Sequence, residues 1–299
     1  MYEDIKQVIP EAYVRWDEPM KNHTSFRIGG PADCMVFPSS VEQVNQVISW
    51  CRNRDVPFLV IGSGTNILVR DKGIRGVVIK LAERLSGLAV EGQSIYAEAG
   101  VLLSHVSQLA AEKGLSGLEF AEGIPGSVGG AVYMNAGAYD GEMKNVIYEV
   151  TALDSEGNLA VLTSGECDFD YRKSIFQRNG YVILAARMLL KPGDTREITA
   201  KMNEFAERRR QKQPLEFPSA GSVFRRPEGY FVGPLIEELG LKGYHIGGAE
   251  ISTKHAGFII NTGGATAEDV LALIELVQAR VRESTGLNLE PEIRIVGEA

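Results

Sequence analysis

The chain is 299 residues long and 44% hydrophobic, enough to fill the cores of two domains or of one domain with an insertion. A formal net charge of −8 excludes the global positive field that holds a nucleic-acid backbone or an anionic membrane, so any anionic ligand must be met by a local cluster. The three cysteines, Cys34, Cys51 and Cys167, are odd in number and show no C-x-x-C spacing, so neither a disulfide framework nor a zinc site is implied, which suits a reducing cytoplasm.

The amino terminus carries Glu3 and Asp4 where a signal peptide needs bases. No apolar run approaches the roughly 18 residues that suggest a spanning helix. A cytoplasmic location is therefore expected, with no membrane, no nucleic acid and no required protein partner. Ser39-x-x-Glu42 is a capping-box pattern, followed by Val41, Val44, Val47, Ile48 and Cys51 at helical spacing, and Val56 to Ile61 is read as a buried strand. That strand ends in Gly62-Ser63-Gly64-Thr65-Asn66. The next residues, Ile67 to Gly73, are too apolar and too soon interrupted by glycine for a long helix, so neither a Rossmann fingerprint nor a P-loop is satisfied. The loop's N–H groups could still form an anion-binding nest without a helix dipole behind them.

Strands are expected at Gly76 to Leu81, Leu88 to Glu91 and Ser94 to Glu98, then a helix from Leu102 to Lys113 closed by Gly114. Residues 123–139 follow, with five glycines among small side chains and with Pro125 and Asn135 as punctuation. Glycine removes the Cβ that holds a ligand away, so this run is read as backbone in close approach to a flat, polar ligand. Val146 to Leu153 and Leu159 to Thr163 suit a hairpin around residues 154–158, and Tyr181 to Leu190 is a further strand. Lys191-Pro192-Gly193-Asp194 breaks the pattern, and a domain boundary is placed near residue 194. A charged helix runs from about Glu197 to Lys212, with Arg208 to Arg210 read as its solvated end. The last third holds a strand at Gly257 to Asn261, a helix from the Thr266-x-x-Asp269 cap to about Glu283, and a strand at Glu292 to Val296. Helix and strand mixed throughout imply an α+β fold. His23, His105, His245 and His255 show no metal-ligand spacing and are read as structural or surface groups; no metal is expected.

Three further clusters stand out: Tyr171-Arg172-Lys173-Ser174, Ser219 to Phe224 after a basic stretch, and Pro291-Glu292-Ile293-Arg294. Taken singly they read as a surface ion pair, a turn hydroxyl and a strand-edge charge. Together with Asn22 to Gly30, Gly62 to Asn66 and Gly123 to Tyr139, they resemble, in chain order, the UDP-N-acetylenolpyruvoylglucosamine reductase family, in its shorter, type II form. The resemblance implies a two-part FAD-binding domain of the vanillyl-alcohol-oxidase type, residues 1–83 and 84–193. A smaller α+β substrate-binding domain, 194–299, follows, its last strand packing back toward the FAD domain. It further implies non-covalent FAD, NADPH as co-substrate, and reduction of the enolpyruvyl ether of UDP-N-acetylglucosamine to UDP-N-acetylmuramate in peptidoglycan precursor synthesis.

By the same resemblance Gly62, Ser63, Gly64, Thr65 and Asn66 wrap the FAD pyrophosphate. Pro125, Gly126, Ser127, Gly129, Gly130, Asn135, Ala136, Gly137 and Tyr139 lie along the flavin and ribityl chain. Hydride delivered to the β carbon leaves charge on the α carbon beside a carboxylate, which needs donors already aimed at it. Arg172 supplies a planar cation, Glu292 helps to polarise the same group, and Ser222 protonates the α carbon. Tyr171 and Lys212 are substrate-binding residues on this reading. A flavin oxidase with another substrate domain and a non-catalytic nucleotide-binding module are the alternatives. Oxygen consumption would mark the first, and a colourless preparation that refuses FAD the second.

Overall fold

The computed structural model describes residues 2–82 and 84–299 and separates into two compact units; Glu83, where the first expected FAD-binding segment ends, lies outside the described residues. The first unit comprises Met1–Arg15, Cys34–Ser63 and Gly76–Arg209. Its five-stranded antiparallel sheet has the order Leu159–Thr163, Ile147–Leu153, Val182–Leu189, Ser94–Glu98, Leu88–Glu91. Position in the sheet explains the side-chain patterns. Val182–Leu189 is central, so nearly all its residues are buried and the apolar run is continuous, whereas the edge strand Leu159–Thr163 alternates half-buried and exposed. Asp154 Oδ1 accepts from Glu156 N at 2.8 Å and Asn158 N at 2.9 Å and thereby shapes the hairpin loop expected there.

A second sheet has the order Val14–Pro19, Pro31–Val36, Ile74–Lys80, Phe58–Ile61, its last two strands running parallel with Phe58 opposite Val77. The helix Val41–Arg52 begins one residue later than the capping pattern implied. Ser40 is the N-cap and accepts from Gln43 N, while Gln43 Oε1 accepts from Ser39 N. Val44, Val47, Ile48, Trp50 and Cys51 of this helix join a core that continues through Val106, Leu118, Phe120, Val132, Leu184 and Met188.

The second unit comprises Trp16–Asp33, Gly64–Arg75 and Arg210–Ala299. A four-stranded antiparallel sheet, ordered Ser219–Ser222, Phe258–Asn261, Ala249–Ile251, His245–Ile246, shares a core with the helix Ala267–Thr285. Val270, Leu273, Ile274, Val277 and Val281 recur at helical spacing and supply the buried stripe. The Thr266/Asp269 capping box forms as expected. Asp71 adds a carboxylate that accepts from Ala267 N and Glu268 N, placing negative charge at the positive end of the helix dipole. Arg294–Val296 pairs in parallel with Ile67–Val69. Phe26 and Ile28, from the Asn22-to-Gly30 motif, lie in this core, and Asn261 Nδ2 donates to Phe26 O at 3.1 Å.

Candidate active site

In the first unit the strand Phe58–Ile61 delivers Gly62 and Ser63. The place of a Cβ on Gly62 is taken by Ser127 Oγ, so glycine is needed for the two loops to meet. The buried hydroxyls of Ser63 and Ser127 have no hydrogen-bond partner among the described residues. A buried hydroxyl left in that state costs about 1–3 kcal/mol. A ligand rich in polar atoms that meets these two hydroxyls removes that cost. These residues therefore fit FAD.

The run 123–139 is not one continuous loop. Residues Val128–Tyr133 form a short helix, and its first turn and the segment before it lie against 99–103: Leu103 N donates to Gly126 O at 3.0 Å and Gly129 N to Ala99 O at 2.9 Å. A Cβ on Gly129 would stand 2.8 Å from Ala99 Cβ, so that glycine answers to chain packing. Pro125 and Gly130 are exposed, whereas Ala136 N donates to Ala131 O. Gly137–Ala138 pairs with Gly141–Glu142 across Tyr139 and Asp140, whose φ values of 50° and 65° match a type I′ turn. Asn135 is fully buried, and its amide is used inside the protein. Nδ2 donates to Glu142 Oε2 at 2.8 Å and to Asp170 O at 3.0 Å, while Oδ1 accepts from Lys144 N at 2.9 Å.

The Tyr171-to-Ser174 motif is tied to the end of this run. Arg172 Nη2 donates to Gly137 O at 3.0 Å and its guanidinium lies 5.1 Å from the Tyr171 ring. Ser174 Oγ donates to Tyr133 O at 2.7 Å, and Gln177 Nε2 donates to both Tyr133 O and Arg172 O. Arg172, Asn135 and Tyr139 all have positive φ, a region that non-glycine residues seldom occupy and that collects at functional sites.

One cation lies elsewhere than expected. Arg209, expected at a solvated helix end, is only 7% exposed; Arg208, by contrast, is exposed and pairs with Glu204. The signal was present, because Ile198, Met202, Phe205 and Arg209 form one helical stripe that buries together. The Arg209 guanidinium stands 5.7 Å from the Tyr139 ring, which itself stacks on Phe205 at 4.4 Å. Burial pushes its pKa down, opposed by Tyr139 and Glu122.

Gly64, Thr65 and Asn66, with Lys212, Ser222 and Glu292, belong to the second unit. Ser222 ends the strand Ser219–Ser222 opposite Phe258, and its half-buried Oγ makes one long bond to Phe224 O at 3.3 Å. An isolated bridge joins Phe224 to Pro291, and Glu292 N donates to Val223 O at 2.7 Å. Asn66 then closes the group: its Nδ2 donates to Glu292 O at 3.2 Å and its carbonyl accepts from Arg294 N at 3.0 Å. The glycine-loop residue Asn66, the serine and the carboxylate thus share one hydrogen-bonded framework. Lys212 is exposed at the end of the helix Thr195–Lys212. Among the described residues no group of histidine, cysteine, aspartate or glutamate could hold a metal ion, and no helix is long and apolar enough to cross a membrane.

Residues 32–163 match the profile of an FAD binding domain, and residues 213–296 match the C-terminal domain of UDP-N-acetylenolpyruvoylglucosamine reductase. The enzyme of that name from Syntrophomonas wolfei is 55% identical over 298 residues, covering 100% of both chains. The one from Caldanaerobacter subterraneus is 51% identical over 100% of this chain and 98% of its own. The crystal structure of the reductase from Thermus caldophilus superposes with a TM-score of 0.82 at 37% identity, over 93% of this chain and 97% of that one.

Proposed function

Because the chain belongs to the UDP-N-acetylenolpyruvoylglucosamine reductase family and is an FAD-dependent oxidoreductase, we propose that it reduces the enolpyruvyl ether of UDP-N-acetylglucosamine to UDP-N-acetylmuramate, with NADPH as electron source. FAD, when bound, supplies the chemistry of accepting a hydride and delivering it to the β carbon of the ether. The protein's part is to hold that group, to stabilise the charge left on the substrate and to provide a proton. This reading includes the three segments 1–83, 84–193 and 194–299 and a cytoplasmic location.

In this reading the loops 62–66 and 125–139 hold FAD with main-chain groups and with the Ser63 and Ser127 hydroxyls. Asn135 acts through the loop it fastens, since its amide is already engaged. Arg172 meets the substrate carboxylate with a planar, permanently charged fork. Its positive-φ backbone and its bond to Gly137 O limit the directions the side chain takes, which lowers the reorganisation needed as charge develops. Tyr171 and Lys212 bind substrate, the lysine as a compact charge suited to a diphosphate.

Ser222 Oγ gives its proton to the α carbon. A serine hydroxyl is a weak acid, yet a carbanion-like centre takes its proton if the geometry is held. The observation that best supports this role is the bond from Glu292 N to the carbonyl of Val223, the residue after Ser222, which holds the two motifs side by side. Glu292 helps to polarise the substrate carboxylate from that position, which requires it to be protonated or to act through a donor.

The test is stopped-flow absorbance of the two half-reactions. Ser222→Ala is expected to leave flavin reduction by NADPH nearly intact and to slow reoxidation by the enolpyruvyl substrate. Equal losses in both half-reactions would remove Ser222 from the proton-transfer step.

A further inference from the structure

One titratable group lies beside Ser222 and has no part in the chemistry so far. His255 is half-buried in a turn in which its own amide and that of Lys254 donate to Ser252 Oγ, and its ring packs edge-on to Phe258 at 5.0 Å. Two glycines make room for it. A Cβ on Gly233 would stand 3.4 Å from the ring, and one on Gly257 3.0 Å from it. The same position on Gly257 is 3.5 Å from Ser222 Oγ, so serine and histidine flank one Cα.

Gly257 N donates to His255 Nδ1 at 3.1 Å. Nδ1 is therefore an acceptor, and the ring proton of the neutral imidazole sits on Nε2. The Gly257 carbonyl accepts from Val223 N at 2.9 Å, and the Val223 carbonyl accepts from Glu292 N at 2.7 Å. Each link is a residue whose N–H meets one group and whose C=O, on the other side of the Cα, meets the next. We propose that His255 is a positioning residue for proton delivery: as a neutral acceptor it holds the N–H of Gly257, the residue whose carbonyl accepts from the Val223 N–H next to Ser222, while Val223 O accepts from Glu292 N. This inference rests on the assignment of Ser222 made above.

Protonation at Nδ1 would turn an acceptor into a donor facing a buried N–H. The surroundings oppose it. Burial holds the His255 pKa below its ordinary value; its own backbone carbonyl acts the other way, Lys242 and Lys212 add to the lowering, and Glu237 offsets part of it. Glu237 and Lys242 are themselves an ion pair at 2.7 Å, from the helix Val232–Glu238 and the loop after it.

The experiment measures reoxidation of NADPH-reduced holoenzyme by UDP-N-acetylglucosamine-enolpyruvate from pH 5 to 8.5, in wild type, His255→Asn and His255→Phe. Asn offers Oδ1 where Nδ1 was and does not titrate; Phe keeps the ring and offers nothing. Wild type is expected to lose rate as a single group protonates below about 6.5, the ordinary histidine value. His255→Asn should keep most of the pH 8 rate and lose that acid limb. His255→Phe, with a buried N–H orphaned, should reoxidise about tenfold more slowly at every pH, while flavin reduction by NADPH stays within twofold. Wild-type reoxidation by His255→Phe, or an unchanged acid limb in His255→Asn, overturns the proposal; if the Phe variant does not retain flavin, the Asn profile decides. Ser222→Ala run alongside separates the two claims, since its full reoxidation would remove the serine's role whatever the histidine variants do.

Discussion

Asn135→Ala offers the most direct separation of loop architecture from ligand contact. The side chain makes three hydrogen bonds, but removing it does not orphan three groups. Glu142 keeps Lys144 Nζ at 2.6 Å, and the Asp170 carbonyl keeps Lys173 N at 3.0 Å. The Lys144 amide loses the acceptor shown for it, Asn135 Oδ1. One orphaned amide at about 1–2 kcal/mol plus two net bonds at about 0.5–1 kcal/mol each gives about 3 kcal/mol. The backbone adds to this: φ is 42°, which asparagine tolerates and alanine resists by about 1 kcal/mol. Asn135→Gly keeps the conformation and loses the same bonds, so its excess stability over Asn135→Ala isolates the φ contribution, net of glycine's chain entropy. The assay is urea unfolding of apoprotein, followed by FAD titration of each variant. Apoprotein as stable as wild type, with FAD affinity alone reduced, would refute this reasoning and make Asn135 a direct ligand contact.

Arg172→Lys should retain charge and lose the fork: reoxidation by substrate is expected to slow at least about tenfold, with flavin reduction by NADPH little changed in the same stopped-flow traces. Burial pushes the thiols of Cys51 and Cys167 up to about 12, so native protein at pH 8 should not react with an aromatic disulfide reagent until it unfolds; rapid labelling of two thiols in the folded state contradicts this. The Asp269 pKa is lowered, first by the Thr266 amide and then by Gly248 N and the Thr266 hydroxyl, against opposing desolvation. Its contribution to stability is therefore present above the ordinary aspartate value and is lost as pH falls through the depressed one. Asp269→Asn should flatten that part of the stability curve, measured by thermal unfolding between pH 5 and 2.5. His255 has the same sign in a higher window: its lowered pKa means that stability declines as pH falls from about 6.5 toward the folded value, and His255→Asn should remove that decline.

Which elements were legible depended on how local their cause is. Leu88–Glu91, Ser94–Glu98 and Leu159–Thr163 form where the alternation and turn residues put them, and the Thr266/Asp269 box starts its helix as read. Val14–Pro19 and Ala249–Ile251 gave no such signal: the first carries Arg15, Asp17 and Glu18, the second is three residues long, and each is a strand because a neighbour supplies the ladder. The helix Val128–Tyr133 was hidden by its two glycines, whose low propensity is overridden where Gly129 packs on Ala99.

The sequence by itself determined the α+β composition, the FAD-binding and C-terminal parts, and the family, because residue types in ordered motifs are a property of the chain. Tertiary structure decided what those residues are free to do. It engaged the Asn135 amide within its own loop, buried Arg209 beside Tyr139, and set His255 against Gly257, whose carbonyl accepts from the Val223 amide next to Ser222. The physical reason is that a hydrogen bond or a burial cost belongs to a pair of groups, and these pairs are far apart in the sequence.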